Sequence, residues 1–213
     1  MKVMTSISAG LMALALVGCG QGQQNVGSAS PTPLSEIAGS WSLDGAASKI
    51  AFASIKVDEL IETHYFPGLS GEISESGETV ITIPLAEVET KIDLRNERMQ
   101  SMFFETETYP EAEIRVSVDR AEFSDLAIGE RLETEVEGTL SLHGVESYVY
   151  ASVFVTRIAD ARVEVSTSEP VVVHVADFNL EAGLEALREV AGLTSITPAV
   201  PVTFSLVFDA ADA

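Results

Sequence analysis

Few side chains in this 213-residue chain are placed to do covalent chemistry. The three histidines, His64, His143 and His174, stand at no metal-ligand spacing, and the one cysteine, Cys19, has no second cysteine to pair with. There is no Gly-x-Ser-x-Gly elbow and no glycine loop to cradle a phosphate. With 33 Asp and Glu residues, two carboxylates close in sequence say nothing about acid–base work. What remains is binding chemistry, concentrated in residues 91–114, KIDLRNERMQSMFFETETYPEAEI. There Arg95 and Arg98 lie beside Met99, Phe103 and Phe104. Guanidinium groups next to an apolar patch suit a phosphate or carbonyl head group on a greasy tail. Glu97, Glu105 or Glu107 could equally neutralise them. His64, in ETHYFPGLSG, either borders a pocket opening or is structural. No catalytic residue and no metal or required cofactor is expected, and the chain reads as a non-enzyme.

The elements that must hold these residues are set by composition and period. The chain is 46% hydrophobic and carries a formal charge of −21, with no Lys/Arg run. A core is affordable, disorder is excluded, and nucleic acid is excluded as a partner for want of a basic patch. Lys2 and the apolar run Ile7–Val17 form a leader too short to span a bilayer as a stable helix. It ends in Leu16-Val17-Gly18-Cys19, which resembles the lipobox of bacterial lipoproteins. That resemblance implies a signal peptide over residues 1–18, acylation (palmitate included) at Cys19, and anchoring to a membrane. Gly20 in place of Asp resembles export to the outer membrane of a Gram-negative cell, facing the periplasm. Residues 19–40 are rich in Gly, Gln, Ser and Pro and read as a lipid-anchored tether. The folded domain is expected over 41–209, with 210–213 as a tail.

Beyond Trp41 the dominant period is two. Ile114, Val116 and Val118 share one face of a strand. Leu132, Thr134, Val136, Leu140 and Leu142 oppose Glu133, Glu135 and Glu137 in the next, so the glutamate face is wet. Val202, Phe204, Leu206 and Phe208 alternate in the last. His143-Gly144 marks a tight hairpin. About eight mostly antiparallel strands result, as a closed barrel or a sandwich. In Val145–Ile158 the aromatic residues Tyr148, Tyr150 and Phe154 face opposite Val149, Ala151, Val153 and Val155, so both faces ask for cover and a helix outside would supply it. Two short helices are expected. One carries Leu180, Leu184, Leu187 and Ala191, capped by Asn179 and Gly192. The other begins at Asp93 and presents Met99, Met102 and Phe103.

These residues carry a resemblance. ETKIDLRNERMQSMFFETETYPEAEIRVSV is similar to the signature of the YceI-like, polyisoprenoid-binding family, through Thr90, Ile92, Arg98, Met99, Phe103, Phe104, Tyr109 and Pro110. WSLDGAASKIAFASIK, GLSGEI, VEGTLSLHGV and VADFNLEAGLEALREVAGL are similar to its other segments, in the same order. Two positions depart: Ala47-Ser48 stands where the family often has His-Ser, and Arg95-Asn96 where many members have Arg-Asp.

The resemblance implies a lipocalin-like antiparallel β-barrel of about eight strands with two short helices. Its interior would hold a polyprenyl phosphate, an isoprenoid quinone or a similar amphipathic chain, as a carrier, store or scavenger. Phe52, His64, Arg95, Arg98, Met99, Phe103, Phe104, Tyr148, Phe154 and Phe204 are the residues expected at that ligand. The aromatic residues among them could equally be ordinary core. The alternative is a packed barrel that docks a membrane partner; pairing as a homodimer is compatible with either.

Overall fold

A computed structural model of the chain describes residues 33–34, 39–57 and 59–211. The leader, Cys19 and most of the tether lie outside the described residues. Eleven strand segments are present: β1 (Trp41–Leu43), β2 (Lys49–Lys56), β3 (Leu60–Phe66), β4 (Ser70–Ile73), β5 (Glu78–Pro84), β6 (Glu111–Ser117), β7 (Arg131–Leu142), β8 (Val145–Ala159), β9 (Arg162–Thr167), β10 (Val171–His174) and β11 (Ala199–Ala210). Two helices accompany them, α1 (Asp93–Arg98) and α2 (Glu181–Val190). A π-turn over Met99–Phe103 extends α1 directly.

All pairings are antiparallel, and eight segments close a ring: β1-β4-β5-β6-β7-β8-β9-β11, with β11 returning to β1. The sequence suggested about eight strands; there are more segments because three of the barrel's walls, β1/β2, β3/β4 and β9/β10, are broken along their length. β11 is the seam that shows this. Its C-terminal half lies between β9 and β1, whereas its N-terminal half lies between β10 and β2. The barrel therefore has two different ends. At the β1 end the ring is complete. At the other, the β2–β3 hairpin departs from the ring, held to the chain before α1 by a single bridge between Tyr65 and Glu89.

Local sequence explains the elements. In β7 the glutamates point out while Val136, Gly138, Leu140 and Leu142 line the inside. The two-residue β7–β8 turn puts His143 at φ 52° and Gly144 at φ 75°, the left-handed pair a tight hairpin needs. Gly192, at φ 64°, follows the last turn of α2 as expected. The N-caps differ from expectation. Asp93 is the first residue of α1 rather than its cap, and Asn179 is left-handed at φ 55°, ending a 3-10 turn before α2.

Among the described residues no helix covers Tyr148 and Tyr150 on the outside of β8. Tyr148 and Tyr150 are 70% and 66% exposed there. The register decides it: Tyr148 lies opposite Thr139, Tyr150 opposite Glu137 and Phe154 opposite Glu133, so all three belong to the wet face. Phe154 is covered instead by the Arg131 guanidinium, 4.0 Å from the ring centroid. Regular strand begins at Trp41, yet the buried core reaches back to Leu34.

Candidate functional site

The barrel encloses a cavity of about 550 Å³. Its wall is the inward face of the strands: Ile114 and Val116, Val136 and Leu140, Val149 and Ala151, Val202 and Phe204, among others. Several of these remain half-buried although they point inward, because the space they face is not filled by side chains. A small barrel can pack its interior or hold a ligand, and the residues here are too small to pack it.

The open end is built by segments that are not barrel strands. The chain after β5 crosses it as α1 and the π-turn, and α2 lies against them. Close approach depends on Gly183, where a Cβ would stand 2.8 Å from the Met102 carbonyl oxygen. Leu180, just before α2, and Leu184 and Leu187 within it line the cavity. Met99, Phe103 and Phe104 are buried and line it as well. Phe104 stacks edge-on against Phe103 (4.8 Å) and Phe66 (5.8 Å), and Phe66 lies 5.5 Å from Phe52. The sequence stretch that looked unusual is thus a cover for the cavity.

Polar groups gather at this end. His64 is buried, with Nε2 3.0 Å from the Ser54 hydroxyl, and its Nδ1 has no hydrogen-bond partner. Burial, followed by the nearby Arg95 and Lys56 charges, lowers its pKa to about 4, so the ring is neutral at physiological pH. Glu62 accepts from both Lys56 and Arg95, the latter at 2.9 Å, and these partners hold its carboxyl below the usual range. Arg95 also donates to the Thr90 carbonyl at 2.6 Å, and its buried Nε is unpartnered. Asn96 replaces the family's acid without loss of the acceptor: its Oδ1 takes the Thr90 N–H (2.8 Å) and hydroxyl (2.5 Å). Ser48, from the other departure, accepts the Val207 N–H at 2.9 Å.

Of the residues expected at a ligand, Phe52, His64, Arg95, Arg98, Met99, Phe103, Phe104 and Phe204 line this cavity. Tyr148 and Phe154 do not, for the register reason given above. Sequence reasoning passed over Ser54, Lys56 and Glu62. The signal available was the β2–β3 hairpin itself: turning the chain near Val57 places Ser54 opposite Glu62 and His64 opposite Phe52. His143 is elsewhere, bonded to Glu105 at 2.9 Å, and pins the loop after the π-turn to the β7–β8 hairpin. Among the described residues no group of His, Cys, Asp and Glu could hold a metal ion.

A closed, antiparallel, lipocalin-like barrel with an apolar cavity and a cluster of polar groups near its open end defines a class of protein. The comparisons identify which one. The chain matches the YceI-like domain over residues 41–208, and it belongs to that family. It is similar to a solved polyisoprenoid binding domain from Saccharophagus degradans implicated in plant cell wall breakdown. That likeness has 43% identity and a TM-score of 0.78, and covers 80% of this chain and 98% of that one. BcnA of Burkholderia cenocepacia shares the fold at 20% identity and a TM-score of 0.59, covering 78% and 98%. The Campylobacter jejuni YceI protein does so at 16% and 0.50, covering 67% and 81%. No curated protein matches.

Proposed function

We propose that the barrel is a container for a polyisoprenoid or similar amphipathic chain, with the tail inside and the head group at the open end. The observation that carries this reading is the cavity: about 550 Å³, walled mostly by aliphatic and aromatic side chains, with Ser54, Lys56, His64, Arg95 and Arg98 gathered at the open end. The 43%-identical polyisoprenoid binding domain supports the same ligand class. Burial of the tail supplies affinity at about 0.8 kcal/mol per CH₂, so no covalent step is required. The unpartnered Arg95 Nε, the Arg98 guanidinium and His64 Nδ1 are the groups that would meet a head-group oxygen, whether of a polyprenyl phosphate or a quinone. Residue Cys19, in its lipobox-like setting, would tether the container to a membrane outside the cytoplasm, where it would act as a carrier, store or scavenger.

The test is to purify the protein gently, extract it with organic solvent and identify what is released by mass spectrometry. A prenylated species near one per chain is the expected result. An empty extract together with no uptake of added polyprenyl phosphate or quinone would favour a packed interaction module.

A further inference from the structure

The open end carries a rim unlike the rest of the surface. Among the described residues eleven large hydrophobic side chains are exposed, and six of them sit here, each 42–62% exposed. Val57, Leu60 and Ile61 are at the tip of the β2–β3 hairpin, Ile92 and Leu94 at the entry to α1, and Val190 at the end of α2. The three elements are tied side by side. The Val57 N–H donates to the Ser195 carbonyl (3.1 Å) and the Thr197 N–H to the Ile55 carbonyl (2.8 Å), while Arg95 joins α1 to Glu62 of β3. Ile92, Leu94 and Val190 also line the cavity. Apolar surface therefore runs unbroken from the interior to the outside, and exposed patches of this kind mark contacts with partners or membranes.

Charge says which partner. Among the described residues, Lys91 and Arg98 are the basic side chains that make no ion pair, hydrogen bond or ring contact. They flank Ile92 and Leu94. Asp93 and Glu97 lie on the same helix and Glu59 on the hairpin, so the rim is mixed in charge, in contrast to the glutamate-studded outer face of β7. Apolar side chains with a few free cations between them match the boundary between lipid head groups and acyl chains.

We propose that this rim seats on the surface of a phospholipid bilayer, with Lys91 and Arg98 on lipid phosphate oxygens. The inference rests on the container reading above: a prenyl chain passing between cavity and bilayer would then avoid exposing its apolar surface to water.

The experiment uses the full chain with Cys19→Ser, reconstituted on vesicles of phosphatidylcholine and phosphatidylglycerol. A single new cysteine at Ile61 or Leu94 is labelled with a fluorophore and compared with one at Ser76, in the turn after β4 at the closed end. Nitroxide-bearing lipid is expected to quench the rim labels several-fold more than the Ser76 label, with little dependence on salt. The double variant Val57→Asp, Leu60→Asp, at two exposed hairpin positions outside the cavity lining, is expected to lose the quenching at Ile61. It should slow transfer of a fluorescent prenyl probe between vesicles at least ten-fold while leaving the amount bound at equilibrium unchanged. Equal quenching at both ends, or none at the rim, overturns the proposal. So does a rim label shielded only as protein concentration rises, which would assign the face to a second copy. Should no prenyl probe be taken up at all, the container reading fails while the quenching contrast still decides the docking.

Discussion

The two ends of the barrel are built on opposite principles. At the closed end the ring of strands is complete and polar groups are consumed. Arg157 is 2% exposed and donates to the carbonyls of Leu126 (3.2 Å), Ala159 (3.3 Å) and Asp160 (2.6 Å). Arg162 bonds both carboxylate oxygens of Asp209 at 2.8–2.9 Å and reaches Asp44 at 2.5 Å, holding the Asp44 carboxyl below its usual range. At the open end the wall is split, helices stand in for strands, and the buried His64 Nδ1 and Arg95 Nε are left without hydrogen-bond partners. Cohesion is concentrated at the closed end, and unmet hydrogen-bonding capacity is kept at the open one. Low local stability at binding elements is the common arrangement in proteins.

The contrast breaks most visibly at Arg157. Arg157→Met leaves buried carbonyls without donors, and a loss of about 3 kcal/mol is expected in urea unfolding. Prenyl uptake per folded molecule should be unchanged, because the site is at the other end. At the open end, Gly183→Val drives a side chain into the backbone at Met102 and Phe103. A smaller cost, about 1–3 kcal/mol, is expected. Here uptake should fall as well, since α2 and the π-turn cover the cavity together. A variant that lost stability but kept full uptake would show that the helices are a buttress and not part of the container.

The difference between the ends is also a difference in legibility. Barrel walls follow a period of two, so β6, β7 and β11 could be oriented residue by residue from their alternation. Tyr148 and Phe154, expected at the ligand that the resemblance implies, stand on the outer face instead. Their true side is fixed by register against Glu133 and Thr139, a pairing between strands that one strand's pattern does not contain. The cavity was not legible at all, because half-buried and packed valines read alike in sequence. At the open end, the unusual residue mixture and the family likeness point to Arg95, Arg98, Met99, Phe103 and Phe104, which line the cavity. Ser54, Lys56 and Glu62 sit in an ordinary-looking hairpin and become visible only when β2 folds on β3.

His64 sharpens the comparison further, through pH. Its ordinary pKa is 6.5 and its folded value about 4, so between these the unfolded chain binds the extra proton. Stability from this residue is present in full above about pH 6.5 and is lost as pH falls toward about 4. Unfolding at stepped pH should show a slope approaching one proton in that window, and His64→Phe should remove that increment and leave the contribution of the carboxylates. An unchanged slope would mean that the ring is not held neutral in the folded protein.

The central claim is that the interior is empty space kept for a guest. Ala151 lies on the cavity wall beside Val136. Measuring prenyl uptake and unfolding together in Ala151→Phe tests the claim most directly. A hollow container accepts the ring without loss of stability and no longer takes up the ligand. A barrel whose interior is already packed would lose about 1–3 kcal/mol from overfilling, and any lipid it carries would bind undiminished; that result would contradict the account.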